Sequence, residues 1–281
     1  MEFHSLRAGR FQIDTKEGIK TFYLSHSIGM MSTPVTQKQW VEVMGENPSR
    51  FQKGEHSIEV KVNGKSIRMQ PDNPVEQVTW WSVLVFANKL SKKYGFTPTY
   101  NLSDMTWVSG TRAEDGTLRA KRGEVKINAK GKVYDSAEGD IYYKAEGFRL
   151  PTDVEQEYVL RAAGTADGKY YFGGSEAKLK DHAWYGESSD GRTHPVAQLK
   201  PLVIEGKQFY DLHGNVWEWG WKRVDFRGES SLVELKGDFF CVLCGGSWYS
   251  KKHSLLSGDF FYDEPSLRHS RYGFRLVRTG N

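Results

Sequence analysis

Residues 244–277 read CGGSWYSKKHSLLSGDFFYDEPSLRHSRYGFRLV, and their two ends differ in kind from their middle. A glycine pair and an aromatic open the run, and Gly-Phe-Arg-Leu-Val closes it. Both ends have the look of structural framing. Between them, Leu-Leu and Phe-Phe-Tyr alternate with Ser, His, Asp and Lys at no steady period. A buried strand or helix face would show a period of 2 or 3.6, so the middle is neither.

The rest of the chain supplies a scaffold for such a run. With 281 residues, 38% hydrophobic, it is long enough for one large core. Aromatics make up 14%, and Tyr and Trp suit both cores and wet interfaces. The net charge of +4 is modest, and no Lys/Arg-rich block carries interleaved aromatics, which argues against nucleic acid as a partner. No apolar run reaches about 18 residues, so no membrane span is expected. The N-terminus, MEFHSLRAGRFQIDTKEG, shows no apolar signal region, although an export signal could have preceded it.

Three helices are predicted from their caps. Thr36 with Gln39 forms a capping box before Trp40, Val41, Val43 and Met44, and Gly45 stops the helix. The second helix starts at Thr79, with Val83, Leu84, Ala87 and Leu90 on one stripe, and ends at Gly95. In PTDVEQEYVLRAAG, Thr152 caps and Glu155 sits at the third helical position. There Val154, Tyr158 and Ala162 share a face, and Gly164 closes the helix. Residues 108–140 are polar, with weak alternation in EVKINAKGKVYD, and read as a loop plus hairpin inserted into the domain. Beyond Gly164, short strand-like runs dominate. Helices first and strands later predict a single α+β domain.

Each chemical motif has a bland competitor. Cys241-Val-Leu-Cys244 has CxxC spacing but lies on a predicted strand, where positions three apart face opposite ways. That disfavours a disulfide or shared metal ligation, and structural zinc would need about four ligands. In DLHGNVWEW (211–219), Asn215 and Glu218 could ligate calcium, but a buried aromatic ladder of Trp217, Trp219 and Trp221 is the simpler account. His213 near Asp211 hints at acid–base work, yet no nucleophile motif accompanies it. The glycine pairs 173–174 and 245–246 lack the remainder of a phosphate loop.

Seven segments in order resemble the formylglycine-generating-enzyme, or sulfatase-modifying-factor, family. They are PVTQKQWVEVMGENPSRF (34–51), NPVEQVTWWSVLVFANKLS (73–91), GFRLPTDVEQEYVLRAAG (147–164), THPVAQLKP (193–201), YDLHGNVWEW (210–219), GGSW (245–248) and GFRLV (273–277). The resemblance implies one elaborated C-type-lectin-like domain with much irregular structure over the whole chain, 1–281. The family's oxidases hold copper with two cysteines just after GGS-(Trp/Tyr), and those positions here read Ser250 and Leu255. A hydroxyl and an isobutyl group cannot replace soft thiolates, so no catalytic residue, metal or other cofactor is expected. The alternative reading is an oxidase or metal-binding enzyme of the formylglycine type that works by another route.

A second branch, the variable proteins of diversity-generating retroelements, resembles this chain more closely through Trp248, Pro265, Arg268 and Gly273-Phe274-Arg275. In that branch, adenine mutagenesis of AAC and AAT codons excludes Lys, Glu, Gln, Met and Trp. Of residues 249–272 only Lys251, Lys252 and Glu264 fall outside the permitted set. The resemblance implies a receptor-like protein displaying a variable segment, 249–272, to a protein or other surface macromolecule. Placement at the cell surface is also implied, with any lipid anchor lying outside these residues. The expected ligand-binding residues are Tyr249, Ser250, His253, Ser254, Leu255, Asp259, Phe261, Tyr262, Asp263, Leu267, His269 and Ser270. Tyr249, Phe261 and Tyr262 would be rigid anchors, the Ser and His residues adaptable hydrogen bonders, and Asp259 and Asp263 partners for a basic group.

Overall fold

The computed structural model describes residues 1–281 except 16–17, 136–138, 167, 225–238 and 281. All three helices begin at the predicted caps. Helix α1 (Gln37–Met44) has the reciprocal Thr36–Gln39 capping box and ends at Gly45, whose φ of 89° is left-handed. Helix α2 (Trp80–Lys93) is capped by Thr79. Its end is a Schellman turn: Gly95 N donates to Lys92 O and Phe96 N to Ser91 O. Helix α3 (Asp153–Leu160) has the Thr152–Glu155 box.

Val154, Tyr158 and Ala162 share one apolar cluster, as expected, but the predicted end of α3 needs correction. It ends at Leu160, not at Gly164, because Ala162, Ala163 and Gly164 all take positive φ. The chain turns there to run against the strand Gly9–Thr15; a Cβ at Gly164 would sit 2.3 Å from Arg10 O. Helix α3 also buries polar side chains. Glu155, Gln156 and Glu157 are buried as well. The two carboxylates are matched locally: Glu155 accepts a two-pronged bond from Arg149 (2.7 and 2.8 Å), and Glu157 accepts from Arg161 Nε at 2.7 Å.

The centre of the fold is a four-stranded sheet. Its order is an outer strand (Phe260–Asp263), a cysteine strand (Phe240–Cys244), a tryptophan strand (Trp217–Val224) and the short Tyr272–Gly273. The first two pairings are antiparallel and the last is parallel. Trp217, Trp219 and Trp221 enter one core with Cys241 and Leu243, against α2. Trp80 stacks on Trp221 at 5.3 Å and donates its indole N–H to Gly220 O, while Trp219 donates to Val78 O. Cys244 lies away from that core, beside Glu218 and Arg275 in a small cavity. The two cysteines are not joined, and strand alternation accounts for it.

The chain ends meet in a second sheet, where Ile28–Met31 pairs with both Phe3–Leu6 and Val277–Thr279. Just before that last strand, Arg275 grips Glu218 through two bonds of 2.7 Å. It also donates to Met31 O, Tyr210 O and Asp211 O. One guanidinium thus joins the C-terminal frame, the tryptophan strand and the N-terminal sheet. Within 108–140, Lys126–Ala129 and Lys132–Asp135 form a hairpin, its turn made by Lys130 and Gly131 at φ 48° and 71°. Ile127, Ala129, Leu118 and Val125 from this polar segment are buried in the α2 core.

Removing Arg275 would leave the Glu218 carboxylate buried and unpaired. Arg275→Ala is expected to cost about 3–5 kcal/mol of unfolding free energy in urea titration. Arg275→Lys should recover only part, because one ammonium cannot reproduce the planar fork.

Candidate ligand-binding surface

The loop after the cysteine strand begins with a turn that demands glycine. Gly245 and Gly246 have φ of 90° and 81°, and a Cβ on Gly246 would lie 2.3 Å from Leu255 Cδ2. Trp248 is then fastened on several sides. Its backbone N–H donates to Asn215 O, its carbonyl accepts from Ser189 Oγ, and its indole N–H donates to Ser270 O at 2.8 Å.

Three of the twelve expected ligand-binding residues belong to this frame. Ser250 is buried, and its hydroxyl accepts from Ser247 N at 3.0 Å, closing the turn. Leu255 is wholly buried with Tyr170, Leu179, Ala183 and Tyr185. Ser270 is buried because its carbonyl must reach the Trp248 indole. None of the three can meet a ligand. Asp263 is also committed: its Oδ2 accepts from the Tyr272 hydroxyl at 2.6 Å and its Oδ1 from Glu264 N. These bonds fix the Asp263 carboxylate in place and leave it half-buried, with its charge retained.

The others reach solvent. Tyr249 is 62% exposed, Phe261 44% and Leu267 42%, and His253 and His269 are exposed as well. Ser254, Asp259 and Tyr262 are half-buried. Different parts of the scaffold position them. His253 and Ser254 ride on the 3-10 turn Lys252–Leu255, which Lys252 ties to Glu187. Burial raises the Asp259 carboxyl above its usual range, and the nearby His253 opposes that shift. Phe261 instead lies beside Trp217 at 5.9 Å.

Two residues that the sequence reading did not select join the surface from far away. Phe51 packs edge-on against Trp248 at 5.3 Å, and the Arg50 guanidinium lies 5.5 Å from the Phe51 ring. Tyr249 also packs against Trp248, at 5.5 Å, and the Arg271 guanidinium lies 5.4 Å from the Tyr249 ring. Arg271 Nε donates to His269 Nδ1. Nothing local in PSRF (48–51) announces this contact. Beneath it, the buried Glu76 accepts from Phe51 N at 2.8 Å. Burial pushes that carboxyl up to about 8, against the opposing pull of the Phe51 and Arg50 N–H groups and the Arg50 charge.

The suggested calcium ligands are otherwise engaged. Asn215 bonds both the N–H and the carbonyl of His194, and also Asp211 Oδ1. Glu218 belongs to Arg275, although burial still holds its carboxyl above the usual range. His213 does not pair with Asp211 either. It stacks on Tyr171 at 5.1 Å, and burial pushes its pKa down to about 3. Asp211 instead takes the Ala197 N–H.

These observations define a mixed α+β domain that carries an exposed loop surface on a tightly bonded frame. Residues 2–280 match the family described as the sulfatase-modifying factor enzyme 1-like domain, and the chain belongs to it. Its fold is similar to that of Treponema denticola variable protein 1, with a TM-score of 0.70 and 28% identity over 99% of this chain and 95% of that one. It is 30% identical over 263 residues to the chaperone protein LppX of Paenibacillus barcinonensis, covering 87% of this chain and 78% of LppX. The formylglycine-generating enzyme of Streptomyces coelicolor is 33% identical over 119 residues only, 36% of each chain. Among the described residues, no helix is long and apolar enough to cross a membrane.

Glu76 gives the surface a pH signature. The folded protein holds this proton up to about pH 8, whereas an unfolded glutamate releases it near 4.5. The folded state binds more protons over that interval, so Glu76 lowers stability progressively as pH rises through it, and by a constant amount above. Glu76→Gln should therefore gain on the parent between pH 5 and pH 8 in paired unfolding titrations. Parallel pH profiles for the two proteins would contradict the assignment.

Proposed function

We propose that the chain is a receptor-like, ligand-binding protein that displays a diversified surface on a rigid C-type-lectin-type scaffold at the cell surface. One observation carries the reading. In residues 248–275 the side chains that hold the fold are buried and bonded, while Tyr249, Phe261 and Leu267 between them are large, apolar and exposed. Large apolar groups in solvent on a loop held by Trp248 and Leu255 suit contact with a partner. The frame keeps the backbone in place, so the exposed side chains can change without repacking the core. The similarity to a Treponema variable protein supports this role, and the similarity to a protein named as a chaperone supports a partner that is itself a protein.

The copper chemistry of the family's oxidases finds no matching donors here. Ser250 is spent on its turn, Leu255 lies among apolar side chains, and Cys241 and Cys244 sit in different environments on either side of the sheet. Soft copper ligation needs thiolates converging on one point, so the binding reading is preferred to an oxidase.

Deep sequencing of this gene in a cell population tests the proposal. Substitutions should concentrate at exposed codons such as 249, 253, 261, 267 and 269. Codons 248, 255, 274 and 275 should stay uniform. Equal variation at Leu255 and Tyr249, or none in either, would overturn the diversified-surface reading.

A further inference from the structure

The contacts around Trp248 form a continuous strip: Arg50, Phe51, Trp248, Tyr249, Arg271 and His269. It has a guanidinium at each end and aromatic rings between. Both guanidiniums rest near rings, which restricts them before any ligand arrives and lowers the entropy lost on binding. Neither guanidinium forms an ion pair with a carboxylate among the described residues. Asp263 is held by Tyr272, and Glu76 is buried beneath the loop, bonded to the Phe51 N–H. The strip therefore offers two guanidiniums without a carboxylate partner, beside one retained negative charge at Asp263.

We propose that this strip binds an acidic protein segment, with carboxylates taken by Arg50 and Arg271 on either side of an apolar side chain resting on Phe51 and Tyr249. The inference rests on the reading of this surface as a ligand site. Guanidinium forks match carboxylates in two-pronged geometry. The exposed Phe261 and Leu267 extend the apolar area, which favours a protein segment over an anionic glycan. Arg50 and Phe51 lie outside residues 249–272. They would stay constant while Tyr249 and Arg271 change, so the carboxylate pairing at Arg50 is the fixed part of a specificity whose remainder, Arg271 included, varies.

The probe is a phage-displayed random peptide library panned on the whole protein at low salt. Enriched peptides should carry Asp or Glu flanking an apolar residue. Their retention should fall about tenfold on the Arg50→Ala/Arg271→Ala variant, as the loss of charge-assisted pairs requires. Arg50→Glu/Arg271→Glu should turn the selection towards Lys and Arg. Each variant should keep the parent's thermal midpoint, since neither guanidinium supports the core. Four outcomes overturn the proposal: no enrichment, neutral or basic peptides, acidic peptides indifferent to both arginines, or stronger retention on heparin beads than by acidic peptides. If cell sequencing shows substitutions at the exposed codons while the peptides show no acid bias, the receptor reading stands and this inference alone falls.

Discussion

The Arg275–Glu218 pair is the constraint on which the rest of the structure depends. Both side chains are buried, and Arg275 spends its remaining donors on carbonyls of Met31, Tyr210 and Asp211. A buried ion pair often adds little net stability, because desolvation offsets the Coulombic gain. Its larger effect here is on arrangement. Any other register of the tryptophan strand or of the C-terminal segment would leave two charges buried and apart. Arg149 and Glu155 repeat the device, and Arg149 reaches Thr279 while His26 meets Glu155 at 2.8 Å. Two such grips hold both ends of the chain and α3 against the central sheet, so the loop between Trp248 and Tyr272 leaves and re-enters a fixed frame.

That frame separates two kinds of residue lying side by side in the sequence. Trp248 and Tyr249 are neighbours, yet one is bonded at its indole, amide and carbonyl and the other is mostly in solvent. Leu255 and His253 differ in the same way. The oxidases of the family use this loop to carry thiolates; here a serine that closes a turn and a leucine that fills a core stand in those places. The loop is thereby a structural support whose outward side chains are released from structural duty.

The legible part of the sequence was the local part. Thr36, Thr79 and Thr152 marked their helix starts because a cap involves groups only three residues away. Alternation sufficed to part Cys241 from Cys244. Long-range contacts were not legible. Leu255 and Ser270 look like loop residues, and only the packing of segment 170–185 and the reach of the Trp248 indole make them structural. The capping box announced Glu155, but not that Arg149 and Arg161 would match Glu155 and Glu157 inside the protein. Arg50 and Phe51 sit beside Trp248 through tertiary folding that no local pattern encodes.

The central claim is that frame and surface are energetically independent along residues 245–277. Saturation mutagenesis of that segment, with protease resistance of the displayed protein as the readout of folding, measures this directly. The account predicts a two-valued map. Positions 249, 253, 254, 261, 267 and 269 should tolerate most side chains, and positions 246, 248, 250, 255, 274 and 275 almost none. A uniform map, or one in which Tyr249 and Phe261 prove as sensitive as Trp248 and Arg275, would contradict it.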